Sequence, residues 1–560
     1  MGEARVVRRL ADAAAAFSSN ARNPALRKAQ LSFLGAWTAE WAFTVALGIV
    51  AYRDGGAAAV GLVGLLRMVP SALCAPLLSP LADRGRRERV LVVVSTARGV
   101  ATAAAAAVAA SGGSTAVIYA LAVLSTMAAT LFRPAHSALL PSLCRTGHEL
   151  ASANVVRGLL DSASTLIGPL LAAVLLGVAD VDVVFALAAL ASFWSAALLL
   201  RLTYDAPPRP AATRSHLGRE VLEGIGAVAR DRDLALVLGL AAAQSFTRGA
   251  LTVFSVLVSI ELLGRGEAGV GTLMTAVGVG AVLGSLAASL LVGTRRLAAW
   301  FALGVALWGL PLVLVGVVPH DAAALAAMAF IGAGNALIDV AGFTLLGRMA
   351  PDHVLARVFG VLESLVAISI GVGAAATSWL VAEWDLRSAL VAVGLLCPVL
   401  ALASWWRLRT LDQSVGRHDE DVTLLQRVPM LRPLPLPTIE QLARGLEAVA
   451  VPAGATVFDQ GDVGDRYYVV ESGEVDVVGD GRVVASLGPG EGFGEIALLR
   501  STPRTAGVVA RTDVRLLALG SQHFLVAVLG YTPSSQVATT AVTRLLERWD
   551  PGRGPGADGP

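Results

Sequence analysis

From Leu31 to Trp406 the chain alternates long apolar runs with short clusters of charged residues. A helix needs about 20 consecutive apolar residues to cross the hydrocarbon core of a bilayer. Runs of that length fall near 29–52, 58–82, 90–111, 115–140, 151–178 and 183–204. They resume near 234–262, 268–293, 297–318, 322–349, 355–381 and 385–406. The pattern predicts twelve membrane-spanning helices, and an even number returns both termini to one side. Beyond Arg407 the long runs stop. Leu424, Leu425, Val428 and Leu431, then Ile439, Leu442 and Leu446, predict short helices around a turn rich in proline (Pro433, Pro435, Pro437). After Ala453 apolar and polar residues alternate, as in Tyr467-Tyr-Val-Val and Val475-Asp-Val-Val, with closely spaced glycine turns at Gly461, Gly473, Gly481 and Gly488. Such short strands predict a small antiparallel barrel or jelly roll. A last helical pattern runs from Ser534 to Trp549, and a Gly/Pro-rich tail, expected to be disordered, ends the chain.

Composition fits a membrane chain of more than one domain: 560 residues, 55% hydrophobic and 15% charged, with mean hydropathy +0.68. The net charge of +2 says little, because the sign matters loop by loop. Lys28 is the only lysine, so positive charge means arginine. One set of loops holds Arg84, Arg86, Arg87 and Arg89, then Arg145, then six arginines between Arg201 and Arg232. The same side continues with Arg295, Arg296, Arg348, Arg407 and Arg409. The opposite loops offer Arg53, Arg265 and Arg387, beside Asp54, Glu267 and Asp385. Positive loops stay in the cytosol, so both termini are expected there, in a multi-pass protein of the plasma membrane. No cleaved signal peptide is expected, and Cys74, Cys144 and Cys397 are too scattered for a disulfide framework or a metal site.

The segment Pro207–Arg232 is the longest loop within the apolar region. Leu217, Val221, Leu222, Ile225 and Val228 recur there at helical spacing among charges, which predicts an amphipathic surface helix between two six-helix halves. The halves align with each other. Glu40-Trp-Ala-Phe-Thr-Val matches Arg248-Gly-Ala-Leu-Thr-Val, Arg133-Pro-Ala-His-Ser-Ala-Leu-Leu matches Asp339-Val-Ala-Gly-Phe-Thr-Leu-Leu, and Asp161-Ser162 matches Glu363-Ser364. Two repeats of this kind are typical of secondary transporters. After the second run the chain reads Pro80-Leu-Ala-Asp83-Arg84-Gly85-Arg86-Arg87, with Arg133-Pro134-Ala135, Ala153-Asn154 and Gly168-Pro169 further on. Over about residues 25–410 these motifs resemble the major facilitator superfamily, particularly its exporter-like branch. The resemblance makes Asp83, Arg84, Arg86 and Arg87 the conformational loop between helices two and three. Ser79 stands where that family usually has glycine, and one residue between Arg84 and Gly85 is missing.

An ionised group within a bilayer is costly and normally faces protein or a water-filled cavity. The resemblance implies that spans one, four, seven and ten line a central cavity, which would gather Glu40, Arg133, Arg248 and Asp339 there. Pairing within halves (Glu40–Arg133, Arg248–Asp339) or across them (Glu40–Arg248, Arg133–Asp339) is expected, with exchange of partners coupling proton or substrate to rocking. Static salt bridges between packed helices are the plainer alternative. Asp161 has Arg157 one turn earlier as an i,i+4 partner, whereas Glu363 lacks an obvious one and is the better proton-carrier candidate.

Within the strand-rich region, Phe493-Gly494-Glu495-Ile496-Ala497-Leu498-Leu499-Arg500-Ser501-Thr502-Pro503-Arg504-Thr505-Ala506 closely resembles the phosphate-binding cassette of cyclic-nucleotide-binding domains. The resemblance covers about residues 424–549. It implies that Arg504 pairs with the phosphate, that Glu495 accepts the ribose 2′-hydroxyl, and that the amides of Ala497 and Thr505 donate to the phosphate. A short helix starting after Gly494 points free N–H groups at the phosphate, Ile496 belongs to the same nucleotide-binding set, and Val477, Ala485 and Leu487 line the base pocket. The ligand expected is cAMP, with cGMP as the alternative.

The expected fold class is therefore an all-α membrane bundle of 12 transmembrane helices, in two six-helix repeats, plus a C-terminal β jelly-roll with flanking helices. The expected divisions are a cytosolic segment 1–27, a transporter domain 28–410 (halves 28–204 and 233–410, linker 205–232), a linker 411–423, a nucleotide domain 424–549 and a tail 550–560. The function expected is secondary transport, with export of a small molecule, proton coupling and control by cytosolic cyclic nucleotide. The alternative is a membrane-anchored nucleotide receptor that no longer transports; an ion channel fits less well, since no filter-like segment is present. The expected partners are lipid, the nucleotide and a small-molecule substrate, without nucleic acid. No enzymatic constellation, cofactor or metal cluster is expected.

Overall fold

A computed structural model describes residues 22–84, 86–144, 147–200, 202, 225–226, 228–289, 296–349, 352–434, 438–439, 442–443, 445–529 and 540. By internal contacts the chain divides into two units, Met1–Asp412 and Gln413–Pro560. The first unit is helical: α1 Pro24–Arg84, α2 Arg87–Ala110, α3 Thr115–Ala129, α4 Phe132–Leu143, α5 Gly147–Leu176 and α6 Val181–Leu200. Then come α7 Arg232–Leu257 with a π-helical turn Val258–Leu262, α8 Gly266–Ser289, α9 Leu297–Val317, α10 Asp321–Met349, α11 Asp352–Glu383 and α12 Leu386–Ala403. Eleven helices among the described residues are long and apolar enough to cross a membrane.

Three expected spans do not match the helices one for one. The first two run together as the 61-residue α1. At 1.5 Å per residue α1 would measure about 90 Å, roughly three times the hydrocarbon thickness, if it were straight. It is not straight: Gly55 (φ −158°, ψ 28°) and Gly56 (φ 61°, ψ −148°) break it into two membrane-length segments. The expected span 115–140 is divided at Thr130–Leu131 into α3 and α4. Pro134 explains this, because its ring crowds the carbonyl four residues back, at Thr130, and it offers no amide to it. Residues 203–224, which hold most of the expected surface helix, lie outside the described residues, as do residues 1–21 and the expected last helix and tail, save Thr540.

Close backbone contact joins the front and back halves of the bundle. Gly61 on α1 approaches Ala374 and Ser378 of α11 so tightly that a Cβ would fall 2.1 Å from the Ser378 hydroxyl oxygen. Ser378 donates across this seam to the Ala57 carbonyl at 2.6 Å. Gly278 on α8 makes a similar contact with Leu166 of α5. At the end of the bundle where α1 bends, Arg53 donates to Asp180 at 2.7 Å and, with two nitrogens, to Glu267 at 2.6 and 2.5 Å. Tyr52 donates to Glu261, in the π-helical turn, at 2.8 Å. Outward faces such as Leu190, Trp379 and Leu402 are exposed and apolar, as lipid contact demands.

A helix α13 (Trp405–Arg427) runs through the stretch expected as a linker. The second unit holds eight strands: β1 Glu447–Val451, β2 Thr456–Phe458, β3 Arg466–Ser472, β4 Val475–Gly479, β5 Arg482–Leu487, β6 Gly492–Phe493, β7 Gly507–Ala510 and β8 Val514–Gly520. They form two antiparallel four-stranded sheets, ordered β1-β8-β3-β6 and β2-β7-β4-β5. Strand alternation assigns each side chain its layer. On β3, Tyr468 and Val470 face the other sheet with Val475, Phe493 and Leu516. Tyr467 and Val469 point the opposite way, onto Leu425, Leu431 and the helix α15 Ser521–Leu529, whose Phe524 stacks on Tyr467 at 4.4 Å.

Candidate functional site

The cassette begins where β6 meets the short helix α14 (Glu495–Arg500). Gly494 joins them at φ +92°, a left-handed conformation that glycine adopts without strain, and a Cβ there would lie 2.6 Å from the Arg504 Nη1. Gly464, on the facing loop, makes another close approach: a Cβ there would meet the Cβ of Ala497 at 2.6 Å. Helix α14 therefore packs close, burying Glu495, Ile496 and Ala497. Ala497 lies in the first turn, whose amides have no intrahelical acceptor. Thr505 is exposed.

Glu495 is 6% exposed, and its Oε2 has no hydrogen-bond partner. Burial pushes its carboxyl up to about 7, against the opposing pull of the Arg504 charge. Arg504 is 3% exposed and donates to the carbonyls of Gly494 at 2.9 Å and Arg466 at 2.8 Å, while its Nε is unpartnered. Its guanidinium lies 4.1 Å from the Phe458 ring centroid and 6.0 Å from that of Tyr468. This aromatic shelf holds the charge in place by cation–π attraction. The wall expected for a base is formed by cross-strand neighbours: Val477 faces Ala485, and Val475 faces Leu487. A buried carboxylate oxygen and a buried guanidinium nitrogen, both unsatisfied, suit a ligand that brings a hydroxyl donor and an anionic acceptor.

In the helical unit a cavity of about 2400 Å³ is bordered by all six expected coupling candidates, Glu40, Arg133, Asp161, Arg248, Asp339 and Glu363. The ion pairs differ from those expected. Glu40 meets neither Arg133 nor Arg248; it accepts from Arg67 at 2.8 Å and Arg98 at 2.6 Å. Both arginines are almost fully buried, and Arg67 also donates to Thr126 at 2.8 Å. Arg133 pairs with Asp161 at 2.9 Å, in place of the expected Arg157–Asp161 pair, and lies 4.7 Å over Trp37. Arg248 forms no ion pair with a carboxylate among the described residues and lies 5.8 Å from the Trp41 ring centroid. Asp339 accepts from Asn335 at 2.9 Å. The physical reason is helix rotation: α4 turns Arg133 toward Asp161 on α5, while Glu40 on α1 is met by Arg98 of α2 and Arg67 of the second half of α1. Arg67 and Arg98 were missed as site residues, although an arginine in the middle of an apolar run was the available signal.

Of the expected conformational loop, Asp83 and Arg84 are helical in backbone, with side chains outside the described set. Arg86 pairs with the buried Glu88 at 2.5 Å, and Arg87 donates to Ser142 at 3.2 Å.

Family comparison places both units. The model of the Major Facilitator Superfamily matches residues 31–266 and 240–445, and that of the cyclic nucleotide-binding domain matches residues 448–529. The cAMP-dependent protein kinase regulatory subunit of Aspergillus niger is 39% identical over 116 residues, 20% of this chain and 28% of that one. Its counterpart in Yarrowia lipolytica is 41% identical over 116 residues, 20% of this chain and 31% of that one. The chain thus spans less than a third of the length of these relatives. Among solved structures, the nucleoside transporter NupG aligns with TM-score 0.60 at 13% identity, over 70% of this chain and 100% of that one. A POT family transporter aligns with TM-score 0.56 at 13% identity, over 69% and 96%. Those two likenesses are of fold. With a cavity walled by both halves of the helical bundle and a phosphate-type cassette in the sheets that follow, the chain belongs to the Major Facilitator Superfamily and carries a cyclic nucleotide-binding domain behind its transporter domain.

Proposed function

We propose that the protein is a secondary active transporter, an exporter of a small molecule driven by protons, whose rate is set by cAMP binding on the cytosolic side. The bundle crosses the plasma membrane twelve times as two six-helix repeats, with both termini in the cytosol. The break at Gly55–Gly56 supports the count, because it turns the overlong α1 into two crossings. On this reading residues 28–410 transport, with 205–232 as the linker between halves, and 424–549 sense the nucleotide.

The observation that carries the regulatory half is the pair of unsatisfied buried groups, Glu495 Oε2 and Arg504 Nε, facing one cassette. Each lacks a partner, and a cyclic nucleotide would supply both, the ribose hydroxyl to Glu495 and the phosphate to Arg504. Base contacts fall to Val477, Ala485 and Leu487, and amide donors to Ala497 and Thr505. The test is thermal unfolding of the purified full-length protein with cAMP, with cGMP and with neither. A ligand present at 100 times its Kd stabilises by about 2.7 kcal/mol. The expected result is a nucleotide-dependent rise in Tm, larger with cAMP, that Arg504→Ala abolishes. An equal rise in the variant, or none in the wild type, ends the sensor reading.

A further inference from the structure

The cavity gives its own account of what it carries, resting on the transporter reading above. Four carboxylates border it, those of Glu40, Asp161, Asp339 and Glu363. Five guanidiniums border it too, Arg67, Arg133, Arg157, Arg248 and Arg357, and Arg98 stands behind Glu40 in direct contact with it. Arg357 has a further interaction outside this set, and the other five positive charges meet at most four negative ones. An ionised group kept away from bulk water needs a counter-charge. Part of it is missing from the described residues.

The cations that form no ion pair among the described residues are not scattered. Arg157 and Arg248 neither ion-pair with nor donate a hydrogen bond to any described residue, and the Arg157 Nε is buried without a partner. Each interacts electrostatically with Arg133, whose single hydrogen-bonded carboxylate is Asp161. Arg157 and Arg248 are thus each within electrostatic reach of Arg133 on the cavity wall. Beside them lie Trp37 and Trp41, one helical turn apart on α1, with Arg133 over the first ring and Arg248 over the second. Trp37 also has a buried indole N–H with no acceptor. Unpaired donors next to an aromatic strip, in a cavity whose lining is mainly apolar, match a ligand with an anionic head and a flat apolar body.

We propose that the transported substrate is an amphipathic organic anion of the aryl-carboxylate class, its acid group held among Arg133, Arg157 and Arg248 and its ring lying along Trp37 and Trp41. Asp339 and Glu363, which also interact with Arg133 and Arg248, compete with that head for the same guanidiniums.

The experiment uses tritiated 2-naphthoate as probe, with full-length protein in nanodiscs. Neutral 2-naphthamide and cationic 2-naphthylmethylamine serve as competitors of the same shape. Saturable binding displaced by unlabelled naphthoate, but not by amide or amine, is expected. Arg248→Gln should weaken it by roughly 10- to 100-fold, the worth of one charge-assisted contact, with partial recovery in Arg248→Lys. Arg157→Gln has the same expectation and stands in should the first variant fail to fold. Displacement by the amine or amide as effective as by naphthoate overturns the proposal, as does wild-type affinity in both glutamine variants. Flux into proteoliposomes under a pH gradient separates this from the transporter reading. Naphthoate binding without flux leaves the anion site standing and removes transport; flux of the amine alone leaves transport standing and removes the anion.

Discussion

Glu495 is a carboxyl that folding has moved up, and the sign of its effect can be worked out. Its ordinary value is 4.5 and burial lifts it to about 7. Between those values the folded domain holds a proton that the unfolded chain has lost. This contribution to stability is complete below about 4.5 and fades as pH rises through 7. A ribose hydroxyl acts the other way, because it donates to the ionised form. Affinity for cAMP should therefore rise by roughly tenfold from pH 6 to pH 8, with uptake of the ligand releasing a proton. Titration calorimetry in buffers of different ionisation heat reads both, and Glu495→Gln should flatten the profile. An unchanged slope in that variant would remove Glu495 from the binding step. The residue is legible in the sequence because the cassette is contiguous. Its aromatic neighbours Phe458 and Tyr468 are not, since they come from strands far from Arg504 along the chain and only the sheet pairing brings them over it.

Among elements, the bend of α1 sets up the contact between halves. Arg53, just before Gly55, reaches Asp180 after α5 and Glu267 at the start of α8, so one guanidinium bridges the two halves at that end. Tyr52 adds a second bridge to Glu261. These groups are part-exposed, and an exposed pair is worth at most about 1 kcal/mol, roughly a fivefold change in a population. Arg53→Ala should shift the bundle by that factor toward opening at this end. Alkylation of a cysteine introduced at Ser255, a buried residue on the cavity wall, should then run correspondingly faster than in the Arg53-intact background. No change in rate would reduce the bridge to surface decoration. From the sequence Arg53 was visible as a loop charge beside Asp54, but its partner Glu267 lies 214 residues on.

At the scale of the whole molecule, the proposed control of transport by nucleotide has an energetic condition. A ligand moves a two-state transporter only by its differential affinity for the two states, and a tenfold change in rate asks for about 1.4 kcal/mol. Proteoliposomes with cAMP on the side of the nucleotide domain should show such a change, and Arg504→Ala should hold the basal rate while losing the response. A wild-type flux indifferent to cAMP that still binds would separate the two activities. Helix α13 runs from Trp405 to Arg427, across the sequence boundary between the two units.

The sequence by itself determined where the chain meets lipid, since partition into hydrocarbon depends on local composition over about 20 residues. It also determined the cassette, whose glycine, acid and arginine lie within eleven consecutive positions, and the layers of the jelly roll, which follow from alternation of side chains. Only the tertiary structure decided the charge partners in the cavity. Successive helical residues are rotated by about 100°, so the direction in which Glu40 or Arg133 points is fixed by packing against neighbours, and that packing joined Glu40 to Arg67 and Arg98 and left Arg248 without a carboxylate ion pair among the described residues.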